Sequence, residues 1–197
     1  MGAFLILGIR YRVQKSSKLQ KGQSYIFASN HQSTYDIPPM IWHLRAHYAR
    51  FISKKSLGQG IPSISYNLKN GGHLLIDRKK PAQAINDIRT FGKELQSQKY
   101  SCAIFPEGTR SKSATPKKFH RSGLVALLEN MPDAAIVPIA IQHSWKLAQN
   151  NYFPFPVGVR IHVDIMDPIP QESKDPDTLI DRIETQIGNR LADLAKS

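Results

Sequence analysis

Cysteine is nearly absent from this 197-residue chain: Cys102 stands alone. That excludes an internal disulfide and leaves nothing to argue for an oxidising compartment. Long apolar runs are missing too. The longest near the N-terminus, Ala3 to Ile9, is interrupted by Gly8 and closed by Arg10, far short of the ~20 residues a membrane span requires. No basic stretch precedes it and no A-x-A-like cleavage site follows, so it does not read as a secretory signal. Ile6 stands where a myristoylation signal wants Ser or Thr. Internal repeats, low-complexity tracts and Pro/Gly/Ser-rich linkers do not occur. Acidic residues are scarce: 15 Asp+Glu against 27 Lys+Arg leave a net charge of +12. Such an excess points outward, to a polyanion such as nucleic acid, an anionic membrane face or phosphorylated ligands.

What is present suits one ordinary domain over residues 1–197, long enough to bury roughly 70% of the surface its unfolded chain exposes. Residues 1–8 form a short apolar tip, followed by Arg10, Arg12, Lys15, Lys18 and Lys21. This segment reads either as a weak interfacial anchor or as a first strand leading into a solvated basic loop. Beyond it, apolar periodicity switches repeatedly between two and 3.6, so strands alternate with helices. Strands are predicted over Ile9-Tyr11-Val13, Ser24 to Ser29, Phe51-Ile52, Leu74 to Asp77, Ser101 to Phe105, Ala135 to Ile141 and Val159 to Ile165. Helices are predicted over Ile37 to His47, Pro81 to Gln96, Ser122 to Glu129 and Asp177 to Ala195. Pro38 and Pro39 are tolerable only in a first helical turn. The alternation argues for a layered α/β domain, whose sites lie on loops at strand ends.

Three such loops carry chemistry. In Asn30-His31-Gln32-Ser33-Thr34-Tyr35-Asp36, His31 and Asp36 are five residues apart. On a helix that spacing separates them by about 140°, because each residue turns about 100°. They meet only if the segment is a turn entering the helix. A carboxylate beside an imidazole fixes its tautomer and stabilises the imidazolium, which suits general-base work. The spacing leaves open a plainer role, an Asp cap beside an incidental His. In Phe105-Pro106-Glu107-Gly108-Thr109-Arg110-Ser111, an Arg fork suited to phosphate sits in one turn with Glu107 and hydroxyls; a structural Glu107–Arg110 brace is the plainer reading. Gly71-Gly72 through Asp77-Arg78 delivers a further Arg to a strand end.

In this order, NHQSTYD, the strand ending IDR, FPEGTRS, and Val137-Pro138-Ile139 resemble the four blocks of the glycerolipid acyltransferases. The closest subgroup is the bacterial 1-acylglycerol-3-phosphate type. The resemblance spans roughly Ile9 to Ile141, with looser similarity at Lys54-Lys55-Ser56-Leu57, Pro62, Lys117, Phe119 and Gly123. It implies a single α/β domain with a mixed, mostly parallel central sheet flanked by helices. It also implies transfer of a fatty acyl group from acyl-CoA or acyl-carrier protein to the free hydroxyl of a lysophospholipid. The default acceptor is 1-acylglycerol-3-phosphate and the product phosphatidic acid. His31 and Asp36 take the catalytic places, and Glu107, Gly108, Thr109, Arg110, Arg78 and Lys54 the substrate-binding ones. No metal and no cofactor beyond the thioester are implied. The expected location is peripheral, on the anionic cytoplasmic face of the inner (plasma) membrane. Two departures stand out. Almost nothing precedes the first strand, where the family usually carries a hydrophobic segment. His73-Leu74-Leu75 replaces bulkier aromatic or Ile residues in the second block, which implies an altered acceptor pocket.

Other readings weigh less. Another lysolipid or an amine-bearing lipid would use the same blocks. A nucleic-acid-binding module rests on the +12 alone; the basic residues are scattered and lack a stacking-aromatic, zinc or RRM signature. His43 and His47 have i, i+4 zinc-ligand spacing but no third ligand, and read as exposed or interface histidines. Cys102 reads as a small core residue. No G-x-S-x-G elbow and no phosphate-cradling G-x-x-x-x-G-K-[ST] occurs.

Overall fold

The computed structural model describes residues 7–58, 66, 68, 70–152, 154–171 and 175–196. Most of the apolar tip, and Pro62, lie outside the described residues. Seven strands form the sheet: β1 (Arg10–Lys15), β2 (Tyr25–Ser29), β3 (Arg50–Lys54), β4 (Leu74–Ile76), β5 (Cys102–Ile104), β6 (Ala135–Gln142) and β7 (Arg160–Ile165). Their order is β1-β7-β6-β2-β5-β3-β4. Every neighbouring pair is parallel except β6 with β7, so the mostly parallel mixed sheet is borne out. The central strands YIFAS and AIVPIAIQ are buried at every residue, as continuous apolar runs covered on both faces must be.

The period of two sorts each strand between two layers. Ile26, Ala28, Ile136 and Ala140 face α2 (Pro81–Gln98), α3 (Arg121–Asn130) and α4 (Pro176–Ala195). Tyr25, Phe27, Val137 and Ile139 face Met40 and Leu44 of α1 (Ile37–Leu44). Each helix starts with Pro in its first turn except α3, and Asp175 caps α4 by accepting from the Asp177 and Thr178 N–H groups.

α1 is shorter than the periodicity suggests, because Arg45–His47 tightens into a 3₁₀ turn ended by left-handed Tyr48. This turn carries His47 into the core, which corrects its reading as exposed. It is 3% exposed, packed against the Tyr25 and Phe27 rings, with its Nε2 3.2 Å from Lys15 Nζ. Cys102 is buried, as expected. No described helix is long and apolar enough to cross a membrane.

Candidate active site

The C-terminal ends of β2, β5 and β6 meet at one end of the sheet, and the loop after β2 is locked there by Asn30. Its buried amide bonds both main-chain groups of Ile141, donating to the carbonyl (2.9 Å) and accepting from the N–H (2.7 Å). It thereby imitates a strand pairing. Ser33 then caps a 3₁₀ turn over Thr34–Asp36 that feeds α1, its hydroxyl accepting from Tyr35 N while the Asp36 carboxylate reaches back to Ser33 N. This capping box is the turn that the His31–Asp36 spacing demands.

Asp36 is both cap and partner. Its Oδ2 accepts from Gln32 N (2.7 Å), Ser33 N (2.9 Å) and His31 Nδ1 (2.8 Å), and its Oδ1 accepts from the Ser144 hydroxyl. The carboxylate is wholly buried while the His31 ring stays 14% exposed. An Nδ1–H held by a carboxylate leaves the lone pair on Nε2, the atom able to take a proton. The ring is also stacked on Phe105, with centroids 4.1 Å apart.

Ser144 has no counterpart among the residues singled out from the sequence. It opens a 3₁₀ segment after β6 (Ser144–Tyr152) and is braced by the buried Gln32, whose Oε1 lies 3.3 Å from its hydroxyl and whose Nε2 donates to Gln142 (3.1 Å). The available signal was Gln142, a buried polar residue ending an otherwise apolar strand.

Glu107 does not brace Arg110. Its two carboxylate oxygens accept main-chain N–H groups, from His31 (3.0 Å) and from Lys117 (3.1 Å). The His31 carbonyl in turn accepts from Ser111 N at 2.7 Å, so the FPEGTRS turn grips the His31–Asp36 loop by its backbone. Burial pushes the Glu107 carboxyl up to about 7 and the nearby Asp36 adds to the shift, while the two N–H donors oppose it. Arg110 donates to the Thr34 hydroxyl at 2.9 Å, which places its guanidinium on the dyad loop. Gly108 holds φ +70°, and the His120 ring packs so closely that a Cβ there would lie 2.9 Å from its Cδ2.

On the far side of Phe105 opens a cavity of about 420 Å³. Its walls are apolar side chains of α2 and the strand ends, such as Ile76, Ile88 and Ile104, and its polar groups are Arg78, Thr109, His120 and Ser122. A concave apolar volume with few polar groups is the usual form of a small-molecule site. Gly108 and Thr109 line it as well; Lys54 does not, but ends β3 with its side chain exposed. The dyad, Glu107 and Arg110 are thus gathered on one side of Phe105, and Arg78, Gly108 and Thr109 on the other. Among the described residues, no group of three His, Cys, Asp or Glu side chains converges as a metal site.

A profile of the Acyltransferase family matches residues 10–142, which contain every one of these groups except Ser144. The chain belongs to that family. Relatives include 1-acyl-sn-glycerol-3-phosphate acyltransferase alpha of Ovis aries, 29% identical over 90% of this chain and 61% of its own. The 1-acyl-sn-glycerol-3-phosphate acyltransferase of Saccharomyces cerevisiae is 28% identical over 98% of this chain and 63% of its own. The chain therefore spans somewhat under two thirds of these acyltransferases. The crystal structure of the 1-acyl-sn-glycerophosphate (LPA) acyltransferase PlsC from Thermotoga maritima superposes with a TM-score of 0.82 at 22% identity, covering 100% of this chain and 76% of that one. It shares the fold.

Proposed function

We propose that the chain transfers a fatty acyl group from a thioester, acyl-CoA or acyl-carrier protein, to the free hydroxyl of a lysophospholipid. With 1-acylglycerol-3-phosphate as acceptor the product is phosphatidic acid. The observation that carries this reading is the buried Asp36 holding His31 Nδ1, which leaves the Nε2 lone pair free, on a ring stacked against Phe105, whose far side lines an apolar cavity. The acceptor oxygen attacks the thioester carbonyl as Nε2 takes its proton. Collapse of the tetrahedral centre expels the thiolate, which recovers that proton from the imidazolium. No acyl-enzyme forms.

The names of the relatives support the acceptor class, and the positions of Arg78 and Arg110 support phosphate recognition, since a guanidinium fork fits a phosphate bidentately. The cavity takes an acyl chain. An acceptor of this kind resides in a bilayer, so the protein works as a peripheral enzyme at an anionic face, the cytoplasmic side of the inner membrane. The test is thiol release from acyl-CoA and from acyl-carrier protein across a panel of lysolipids. Release that depends on lysophosphatidic acid is expected. Release only with an amine-bearing lipid would move the acceptor, and no release with any would overturn the reading.

A further inference from the structure

Strand β1 lies parallel to β7 with Arg10 opposite Arg160 and Arg12 opposite His162. Like charges directly across a sheet are destabilising, and Arg10 faces Arg160 in this way, with Arg12 and His162 next along the same face. Charges on β1 alone would be explained by its place at the sheet edge, where they discourage pairing with another chain. Arg160 and His162 lie on β7, which is covered on both sides, so edge protection does not account for them. The nearby acids are engaged elsewhere: Asp164 and Asp193 line a groove with Arg12 and His162, but Asp193 lies 3.9 Å from Lys196 Nζ. Among the described residues Arg10, Arg12 and Arg160 have no carboxylate partner, and Asp164, the next residue along that face of β7, is bound by Arg190. Burial, followed by the charges of Arg12, Arg190 and Arg160, holds His162 below its usual range, as expected of an uncompensated positive field.

The position of the array is as telling as its charge. Because β7 runs antiparallel to β6, the N-terminal ends of β1 and β7 lie at the catalytic end of the sheet. His143 Nδ1 lies 3.3 Å from the Arg160 carbonyl, and its chain neighbour Ser144 bonds Asp36. At the same end the turn before β7 presents Val157, 73% exposed and the most exposed large hydrophobic residue described. Two residues earlier, Phe155 packs edge-on against Tyr35 of the dyad loop, with centroids 5.8 Å apart.

We propose that this face, Arg10, Arg12, Arg160 and His162 with Val157 at its tip, is where the catalytic end rests on the anionic phosphate headgroups of a bilayer. An exposed apolar tip rimmed by arginines is the composition of an interfacial contact: the apolar group enters the headgroup boundary while the guanidinium forks take phosphates. An acidic protein surface would use the charges but leave Val157 without a role. The proposal rests on the reading that the acceptor is a bilayer lipid.

The test is sedimentation of the full chain with phosphatidylcholine vesicles and with mixed phosphatidylcholine–phosphatidylglycerol vesicles, at low and high salt. It is paired with acyl transfer to lysophosphatidic acid presented in vesicles and in detergent micelles. Each basic residue near an anionic surface contributes about fivefold in partitioning, so R10Q/R12Q/R160Q should bind mixed vesicles on the order of a hundredfold less tightly. V157S should lose several-fold. Both variants should keep wild-type turnover on micellar acceptor and lose vesicle turnover in step with binding. Equal wild-type binding to neutral and mixed vesicles, or undiminished binding by the triple variant, would overturn the proposal. So would arginines that govern capture of acidic acyl-carrier protein while leaving vesicle binding untouched. Arginine-dependent vesicle binding without transfer to any acceptor would keep the surface and remove the catalytic reading. Micellar turnover with vesicle binding indifferent to the arginines would do the reverse.

Discussion

Asp36→Asn separates the charge of the dyad from its geometry, because the hydrogen bonds dictate how the amide must sit. Oδ2 faces three N–H donors, from His31, Gln32 and Ser33, so the Asn oxygen is forced into that position. The NH₂ then falls where Oδ1 was, against the Ser144 hydroxyl, which can turn to accept it and point its own proton at Gln32 Oε1, 3.3 Å away. The capping box survives, and so does the Nδ1–H tautomer of His31. What disappears is the negative charge facing the developing imidazolium. Two unit charges about 4 Å apart interact by about 4 kcal/mol at an effective dielectric of 20, or on the order of 10³ in rate. The 14% exposure of the ring lowers that toward ~10². A flipped tautomer would instead cost about 10⁴.

Asp36→Ala differs in kind. It orphans the Gln32 and Ser33 N–H groups in a buried site, at about 1–3 kcal/mol each, which for a domain of this length lowers the melting temperature by roughly 5–20 °C. The assay is kcat from thiol release on micellar lysophosphatidic acid, with thermal melts of both variants. The expected result is an Asn variant that melts within a few degrees of wild type and is slowed by ~10²–10³, beside an Ala variant that is both slow and unstable. An Asn variant within about fivefold of wild-type kcat (~1 kcal/mol), or one melting as low as the Ala variant, would refute the reasoning.

His31→Ala should cost ~10²–10⁴ in kcat with little change in melting temperature, because Glu107 holds the residue by its backbone N–H; near wild-type turnover would exclude His31 as base. Glu107 titrates at about 7 in the fold against an ordinary 4.5. Between those values the unfolded chain ionises first, so its contribution to stability falls as pH rises and levels off above about 7. Melting curves of wild type and Glu107→Gln should therefore diverge across that window, and parallel curves would contradict the assignment. Gly108→Ala meets both a left-handed backbone and the His120 ring 2.9 Å away, and should cost about 1–2 kcal/mol. Adding His120→Ala should recover only part of it, since the backbone strain persists; full recovery would show that φ does not matter.

The dyad was legible because its residues sit in one short segment whose Pro38-Pro39 marks the helix start. Central strands and α4 were legible for a similar reason: apolar runs and a 3.6-residue stripe are local signals. Ser144 was not, because it lies 108 residues from Asp36 and meets it only through the pairing of β6 with β2. Nor was the way Glu107 acts. A Glu and an Arg three residues apart suggest a pair, but the chain path brings main-chain N–H groups of two other segments to the carboxylate first. His47 escaped because a 3₁₀ turn rotates it off the helical face that the i, i+4 spacing assumes.

The departure in the second block has a similar explanation. His73 stands at the start of β4, where its Nδ1 accepts from Phe51 N at 2.9 Å and its ring meets the Phe51 ring edge-on. Burial, with Arg50 nearby, lowers its pKa to about 4, so the ring is neutral at ordinary pH and keeps the lone pair that the N–H requires. The cavity is reached only at the other end of the same strand, through Ile76 and then Arg78. Three residues of parallel strand span about 10 Å. The substitution therefore acts on the pairing of β3 with β4, while the cavity-lining residues of this segment are Ile76 and Arg78.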